Sequence, residues 1–354
     1  MVDGGLRVHE KAADPIGTHR VRDGEQVVPQ SARRLATDPQ LWPDEARIRV
    51  SRLNLDAASY RQLSERHRGP TGVDGAALRA EVAAIIAERG KMQNPVTGSG
   101  GMLLGTVEEV GPEHTSGIAV GDRVATLVSL TLTPLVIEDG LSAWDGLSEQ
   151  VPTDGYAILF GRTIVATVPA DLPEELSLAV LDVCGAPALT RRTVAAARAE
   201  SVVVIGAAGK SGSLSLAAAR DAGARLLIGV VPTQAEHDQL AATGLADAIV
   251  VADARDPIAL RDAVAGAGGP GQVTVVCVDV AGCEAGAVLA TADGGTVIFF
   301  SMATSFASAA LSAEGLVADV TMLVGNGYLP GHAGYALDLV RRQPAVRAHL
   351  ERRL

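Results

Sequence analysis

The hydrophobic pattern changes character along the chain. In the C-terminal half, apolar residues come in short unbroken runs at 202–205, 226–231, 248–251, 273–280 and 296–300. Alanine-rich stretches such as 235–243 and 257–265 separate them. A strand covered on one face alternates apolar and polar positions, whereas an unbroken run marks a strand buried on both. With helical segments in between, these runs predict an α/β domain with a doubly wound parallel sheet. The N-terminal half is patterned otherwise. Residues 100–111 and 121–128 read as strands bounded by glycines, which predicts a compact β domain. One amphipathic helix is predicted there at 78–89, with Leu78, Val82, Ile85 and Ile86 on one face. The turn at 169–173 reads as the boundary. It gives residues 1–172 to the β domain with an N-terminal extension, and 173–354 to the sheet domain, whose last helix is free to return to the first.

The first unbroken run flows directly into Gly206-Ala207-Ala208-Gly209-Lys210-Ser211-Gly212, and residues 213–223 behind it read as a helix closed by Gly223. Strand, glycine turn and helix start together form the signature of a dinucleotide-binding βαβ unit. One glycine turns the backbone, one lets a diphosphate approach, and one lets helix pack on strand. The helix N-terminus supplies free N–H groups and a favourable dipole for the phosphate charge. This expectation assigns Gly206, Ala207, Gly209, Lys210, Ser211 and Gly212 to the cofactor. An ATP-binding P-loop fails, because Val204 stands where its first glycine belongs. A glycine-rich turn that binds nothing is the remaining alternative.

In this fold a ligand lies at the C-terminal ends of the strands. That adds Val231 and Thr233 after the second strand, Asp279 and Val280 after the fourth, and Ser301 and Met302 after the fifth. An NAD site usually has Asp or Glu at the second strand's tip. Here the chain continues Pro232-Thr233-Gln234-Ala235-Glu236, with no acid at the tip and no arginine behind it. The choice between NAD and NADP stays open, with Thr233 and backbone donors left for a 2′-phosphate.

Composition narrows the class. Of 354 residues 47% are apolar and only 3% aromatic, so the chain is long enough for two cores built from small aliphatic side chains. A net charge of −11 argues against nucleic acid or an anionic membrane as partner. Cys184, Cys277 and Cys283 fit neither a disulfide framework nor a paired zinc motif. No stretch reads as a signal peptide or a membrane span, so a cytoplasmic protein is expected, with a homodimer as its assembly.

Three motifs in order, Gly105-Thr106-Val107-Glu108-Glu109-Val110-Gly111, then Val120-Gly121-Asp122-Arg123-Val124, then the glycine turn, resemble the medium-chain dehydrogenase/reductase superfamily. The resemblance implies a GroES-like β catalytic domain joined to a Rossmann domain. Zinc-dependent members carry Gly-His-Glu ahead of the Gly-x-Val-Glu run, where this chain has Gly100-Gly101-Met102. Cys184 falls where another zinc ligand often lies. One ligand cannot hold catalytic zinc, which needs three protein groups, so no metal is expected. Segments 15–21, 27–30, 93–101, 181–187 and 325–328 are similar, more narrowly, to the L-erythro-3,5-diaminohexanoate dehydrogenase family. That resemblance implies NAD(P)-dependent oxidative deamination of a diamino acid to 5-amino-3-oxohexanoate.

Such a reaction needs a base to neutralise the amine, a carboxylate for the second ammonium and donors for the substrate carboxylate. The resemblance puts Asp182 beside the nicotinamide, to bind an ammonium or relay a proton; its alternative is a cap on the following helix. His19 and Arg20 are expected to bind the carboxylate, or else to be exposed loop residues. Asn94, Thr97 and Ser99 replace the region of the missing zinc ligand and are expected to orient the amine, unless they only shape a polar turn. Asn326 and Tyr328 form a turn suited to closing the site, with His332 as a polar helix end. Two further readings stay open: a zinc-independent NADPH quinone or enone reductase, and a non-catalytic NADPH-binding protein.

Overall fold

The computed structural model describes residues 13–354 except 128, 302 and 326. Contacts divide the chain into two compact units, one ending at Glu174 and one running from Glu175 to Leu354.

The first unit holds β1 (Ala46–Leu55), α1 (Ala57–Arg66), β2 (Arg68–Gly69), β3 (Gly72–Val73), α2 (Gly75–Arg89), β4 (Gly101–Val110), β5 (Arg123–Thr126), β6 (Leu135–Ile137), β7 (Gln150–Leu159) and β8 (Val165–Thr167). Six strands form one sheet in the order β6-β7-β1-β4-β5-β8, every neighbouring pair antiparallel. β2 and β3 make a separate small hairpin. Helix α2 is capped at both ends. The Asp74 carboxylate accepts from the Ala77 amide, and Gly90 ends the helix at φ 64°. Its buried face is Leu78, Val82, Ile85 and Ile86, as the periodicity predicts, packed with Ile48, Leu53, Leu103 and Trp144. The central strands β1 and β7 were not among the expected elements; charged residues such as Arg47, Arg49 and Arg52 interrupt the apolar positions of β1.

The second unit carries α3, which begins at the junction (Glu174–Leu181), then α4 (Gly185–Ala197), β9 (Ser201–Ile205), α5 (Lys210–Asp221), β10 (Leu226–Val231), α6 (Gln234–Ala241), β11 (Ala248–Val251), α7 (Pro257–Gly266) and β12 (Gly271–Val276). It closes with α8 (Glu284–Leu289), β13 (Thr291–Phe299), α9 (Phe306–Leu316), β14 (Val320–Val324), α10 (His332–Arg342) and α11 (Pro344–Glu351). The six strands are parallel in the order β11-β10-β9-β12-β13-β14. Chain order therefore reverses between β9 and β12, the switch point at which doubly wound sheets bind ligands. The unbroken runs are explained by two cores. Val202, Val204, Val273 and Val275 face Val194 and Leu216 on one side. Val203, Ile205, Val276 and Phe299 face Leu260, Ala287 and Ala309 on the other. Period-two alternation thus serves two apolar layers. The fourth strand stops at Val276, four residues short of its expected end, so Asp279 and Val280 sit in the following loop. The sixth strand, β14, completes the sheet at an edge where the expected runs left off.

Candidate active site

The glycine turn stands at the switch point. Gly206 follows β9 at φ 81°, a left-handed conformation that side chains resist, and a Cβ there would lie 2.8 Å from Val278 Cγ1. At Gly212 a Cβ would fall 2.1 Å from the Gly206 carbonyl oxygen, so helix and strand approach only because it is glycine. Gly209 is the N-cap of α5; the nearest atom to a Cβ there is the Gly206 oxygen at 3.3 Å. The backbone amides of Gly206 and Ala207 both donate to the Val230 carbonyl, which pins the turn to the neighbouring strand. Lys210, Ser211 and Gly212 form the first turn of α5, where amides have no acceptor within the helix. Turn, dipole and space fit a dinucleotide diphosphate.

Two groups hold this turn that the pattern of the sequence does not reveal. His349 of α11, 2% exposed, donates from Nε2 to the Ala208 carbonyl at 2.8 Å, and Arg353 reaches the same oxygen at 3.3 Å. A histidine and one of several arginines near the C-terminus carry no signal of that contact.

Asp182 lies directly after α3, and its Oδ2 is 3.1 Å from Lys210 Nζ, both side chains half-buried. It does not cap the following helix, whose N-cap is Cys184 with no side-chain bond. Burial and the Asp182 charge push the Cys184 thiol up to about 12, which suits a buried filler and not a thiolate ligand. Among the described residues no group of three or more His, Cys, Asp or Glu is gathered to hold a metal.

The other strand ends are as follows. Val231 is buried, and Thr233 accepts the Glu236 amide to cap α6, so its hydroxyl already has a partner. Asp279 is half-buried and Val280 exposed. Ser301 turns its hydroxyl to the Ala303 amide. Glu284, buried, accepts from the Ser305 amide and ties the loop after β12 to the loop after β13. Tyr328 stacks edge-on to the buried His332 at 5.6 Å. Met302 and Asn326 lie outside the described residues.

In the first unit the structure corrects two expectations. Arg20 is neither exposed nor open to a substrate. It is 2% exposed and grips the fully buried Glu45 with Nε and an NH2 group, and its remaining donors go to the carbonyls of Asp38 and Gln40. His19 completes the cluster: Nε2 donates to Glu45 at 2.9 Å while Nδ1 accepts from the Asp14 amide. Burial pushes the Glu45 carboxyl up, but the bonds from Arg20 and His19 outweigh it and hold the group below its ordinary value. Glu45 was missed because an isolated Glu in a polar segment reads as surface. Lys91 was missed likewise; it is fully buried, donates to the carbonyls of Pro29 and Gln30, and burial lowers it to about 8.

Asn94 is buried and shapes its own loop, with Oδ1 accepting from the Val96 and Thr97 amides and Nδ2 donating to Gln62. These bonds hold the polar turn that the residue shapes. Thr97 belongs to a chain of hydroxyls: Thr97 to Ser59 at 3.0 Å, Thr97 to Ser99 at 2.8 Å, and Ser99 to Asp56 Oδ1 at 2.8 Å. Asp56 Oδ2 is buried with no hydrogen-bond partner among the described residues. Four oxygen-bearing side chains, those of Asp56, Ser59, Thr97 and Ser99, therefore converge.

Comparison with known proteins gives the same frame a family. Residues 19–169 match the L-erythro-3,5-diaminohexanoate dehydrogenase N-terminal domain. The chain is 41% identical over 342 residues to the L-erythro-3,5-diaminohexanoate dehydrogenase of Acetoanaerobium sticklandii, covering 95% of this chain and 97% of the relative. It is 42% identical over 337 residues to that of Fusobacterium nucleatum, covering 94% and 96%. Among solved structures, a mycobacterial quinone oxidoreductase shares the fold at 18% identity with a TM-score of 0.55, covering 92% of this chain and 93% of that one. The chain belongs to the L-erythro-3,5-diaminohexanoate dehydrogenase family.

Proposed function

We propose that the protein oxidatively deaminates L-erythro-3,5-diaminohexanoate, or a close β-amino acid, to 5-amino-3-oxohexanoate and ammonium with NAD or NADP as oxidant and without zinc. The observation that carries this reading is end-to-end identity to two dehydrogenases of that name, combined with a dinucleotide turn at the switch point. The nicotinamide ring accepts the hydride when bound, and Gly206, Gly209, Gly212 and the amides opening α5 would hold its diphosphate.

The chain's own groups have the remaining tasks. The carboxylate of Asp182 already holds an ammonium, that of Lys210, so its surroundings accept one. It takes a proton from the substrate's 3-ammonium, leaving a neutral amine whose lone pair forms the C=N bond as C3 gives up its hydrogen as hydride. The same carboxylate then helps water add to the imine carbon and returns its proton as ammonia leaves. Within the first unit, Asp56 with Ser59, Thr97 and Ser99 forms an acceptor set whose chemistry suits an ammonium.

The test is a spectrophotometric assay of the purified protein with 3,5-diaminohexanoate and each nucleotide, beside quinone and enone substrates with NADPH. Reduced nicotinamide formed only with the diamino acid supports the reading. Turnover of quinone or enone without turnover of the amine overturns it.

A further inference from the structure

Lys210 occupies an electrostatically contested place. It is the first residue of α5, where the helix dipole disfavours a cation and favours an anion. Its side chain is paired with Asp182 at 3.1 Å, and neither group is sealed from solvent. The pair is only partly exposed, so it keeps more of its strength than a surface pair, yet solvent and a second anion can still reach the ammonium. Two anions therefore have a claim on one ammonium: the Asp182 carboxylate, and the diphosphate that the glycine turn is shaped to receive.

We propose that Lys210 is a counter-ion shared between Asp182 and the phosphates of a nicotinamide nucleotide. Nucleotide binding draws the Lys210 ammonium toward the phosphates, and the substrate's ammonium takes its place beside Asp182. Substrate then binds after the nucleotide, and an amine is favoured over a neutral carbonyl compound only in the nucleotide complex. This inference rests on reading the turn as a dinucleotide site. It adds a gate between that site and the candidate base.

A gate and a static structural pair predict opposite signs. If Asp182 restrains Lys210, removing the carboxylate's charge frees the lysine and also removes an anion near the phosphates. If the pair only braces the turn, breaking it from either side harms binding alike. The experiment is equilibrium titration with NADH and with NADPH, read by nicotinamide fluorescence. It covers wild-type protein, Asp182→Asn, Lys210→Met, Lys210→Arg and the double variant Asp182→Asn/Lys210→Met, each first checked for folding by thermal melting. The gate predicts about fivefold tighter binding for Asp182→Asn and about tenfold weaker for Lys210→Met, charge effects of ordinary size at a partly exposed site. Lys210→Arg, which keeps the charge, stays within about twofold of wild type and serves if Lys210→Met fails to fold. The double variant follows Lys210→Met. Weaker binding by both single variants, or no change in either, overturns the gate while leaving the cofactor site intact. Failure of wild-type protein to bind either nucleotide overturns the cofactor reading itself.

Discussion

His349 donates its Nε2–H to the carbonyl of Ala208 at 2.8 Å, tying the last helix to the middle of the glycine turn. A carbonyl only accepts, so the contact fixes the proton on Nε2. His349→Leu removes the donor and leaves the Ala208 oxygen with Arg353 alone. Nucleotide binding is expected to weaken by about 1 kcal/mol, the ordinary worth of such a bond. His349→Gln, able to donate, recovers part of the loss. Isothermal titration of both variants checks this, and unchanged affinity in His349→Leu removes α11 from the support of the turn.

The same residue makes stability depend on pH. Burial lowers the His349 pKa, as it does for His114 and His332. The unfolded chain therefore takes up protons first, near 6.5, and binds more of them than the folded chain just below that pH. Stability is full above this range and falls as pH drops from about 7 toward 5. Glu45 acts lower down, since its depressed pKa gives stability present above about 4.5 and lost as pH falls through its folded value. Urea midpoints measured between pH 4 and 8 are expected to decline in two stages. A shallower slope between pH 7 and 5 in His349→Gln assigns a share of the first.

The Arg20–Glu45 pair is structural. Glu45→Gln leaves a guanidinium that is 2% exposed without its counter-charge. Removing one partner of a buried pair costs about 3–5 kcal/mol. Chemical denaturation is expected to show that loss for Glu45→Gln and Arg20→Met alike. The KM for amine of any protein that remains folded should not move. A selective rise in KM with normal stability would return Arg20 to the substrate site.

The glycines of the turn separate fold from cofactor. Gly212→Ala drives a Cβ to 2.1 Å from the Gly206 oxygen and is expected to destabilise by about 1–3 kcal/mol. A Cβ at Gly209 meets only one atom, at 3.3 Å, so Gly209→Val is expected to keep most of the stability and to abolish nucleotide binding by filling the space for the diphosphate. Melting curves beside nucleotide titrations distinguish the two; nucleotide binding retained in Gly209→Val contradicts the placement of the diphosphate.

Legibility in the sequence followed burial. Runs such as 202–205 announced themselves because both faces of β9 are apolar, and the caps of α2 were visible in Asp74 and Gly90. Strand β1 was hidden because its outward face carries Arg47, Arg49 and Arg52, which pair with residues distant in sequence, such as Glu108, Glu138 and Gln150. The glycine turn was legible because its requirements are local to seven residues. Long-range pairs were not. Nothing near Arg20 shows that Glu45 will absorb it, and nothing near Asp182 shows that Lys210 is its partner. Family-like segments singled out Asn94 and Thr97 together, yet only the hydrogen bonds separate a turn former from a member of the Asp56 cluster.

The proposed reaction oxidises an amine and releases its nitrogen. The most direct measurement compares ammonium with reduced nicotinamide as 3,5-diaminohexanoate is consumed, in wild-type protein and in Asp182→Asn. Equal amounts of the two products, with turnover falling at least about a hundredfold in the variant as expected for loss of a general base, are the predicted result. Nicotinamide reduction without ammonium, or with Asp182→Asn fully active, would contradict the account.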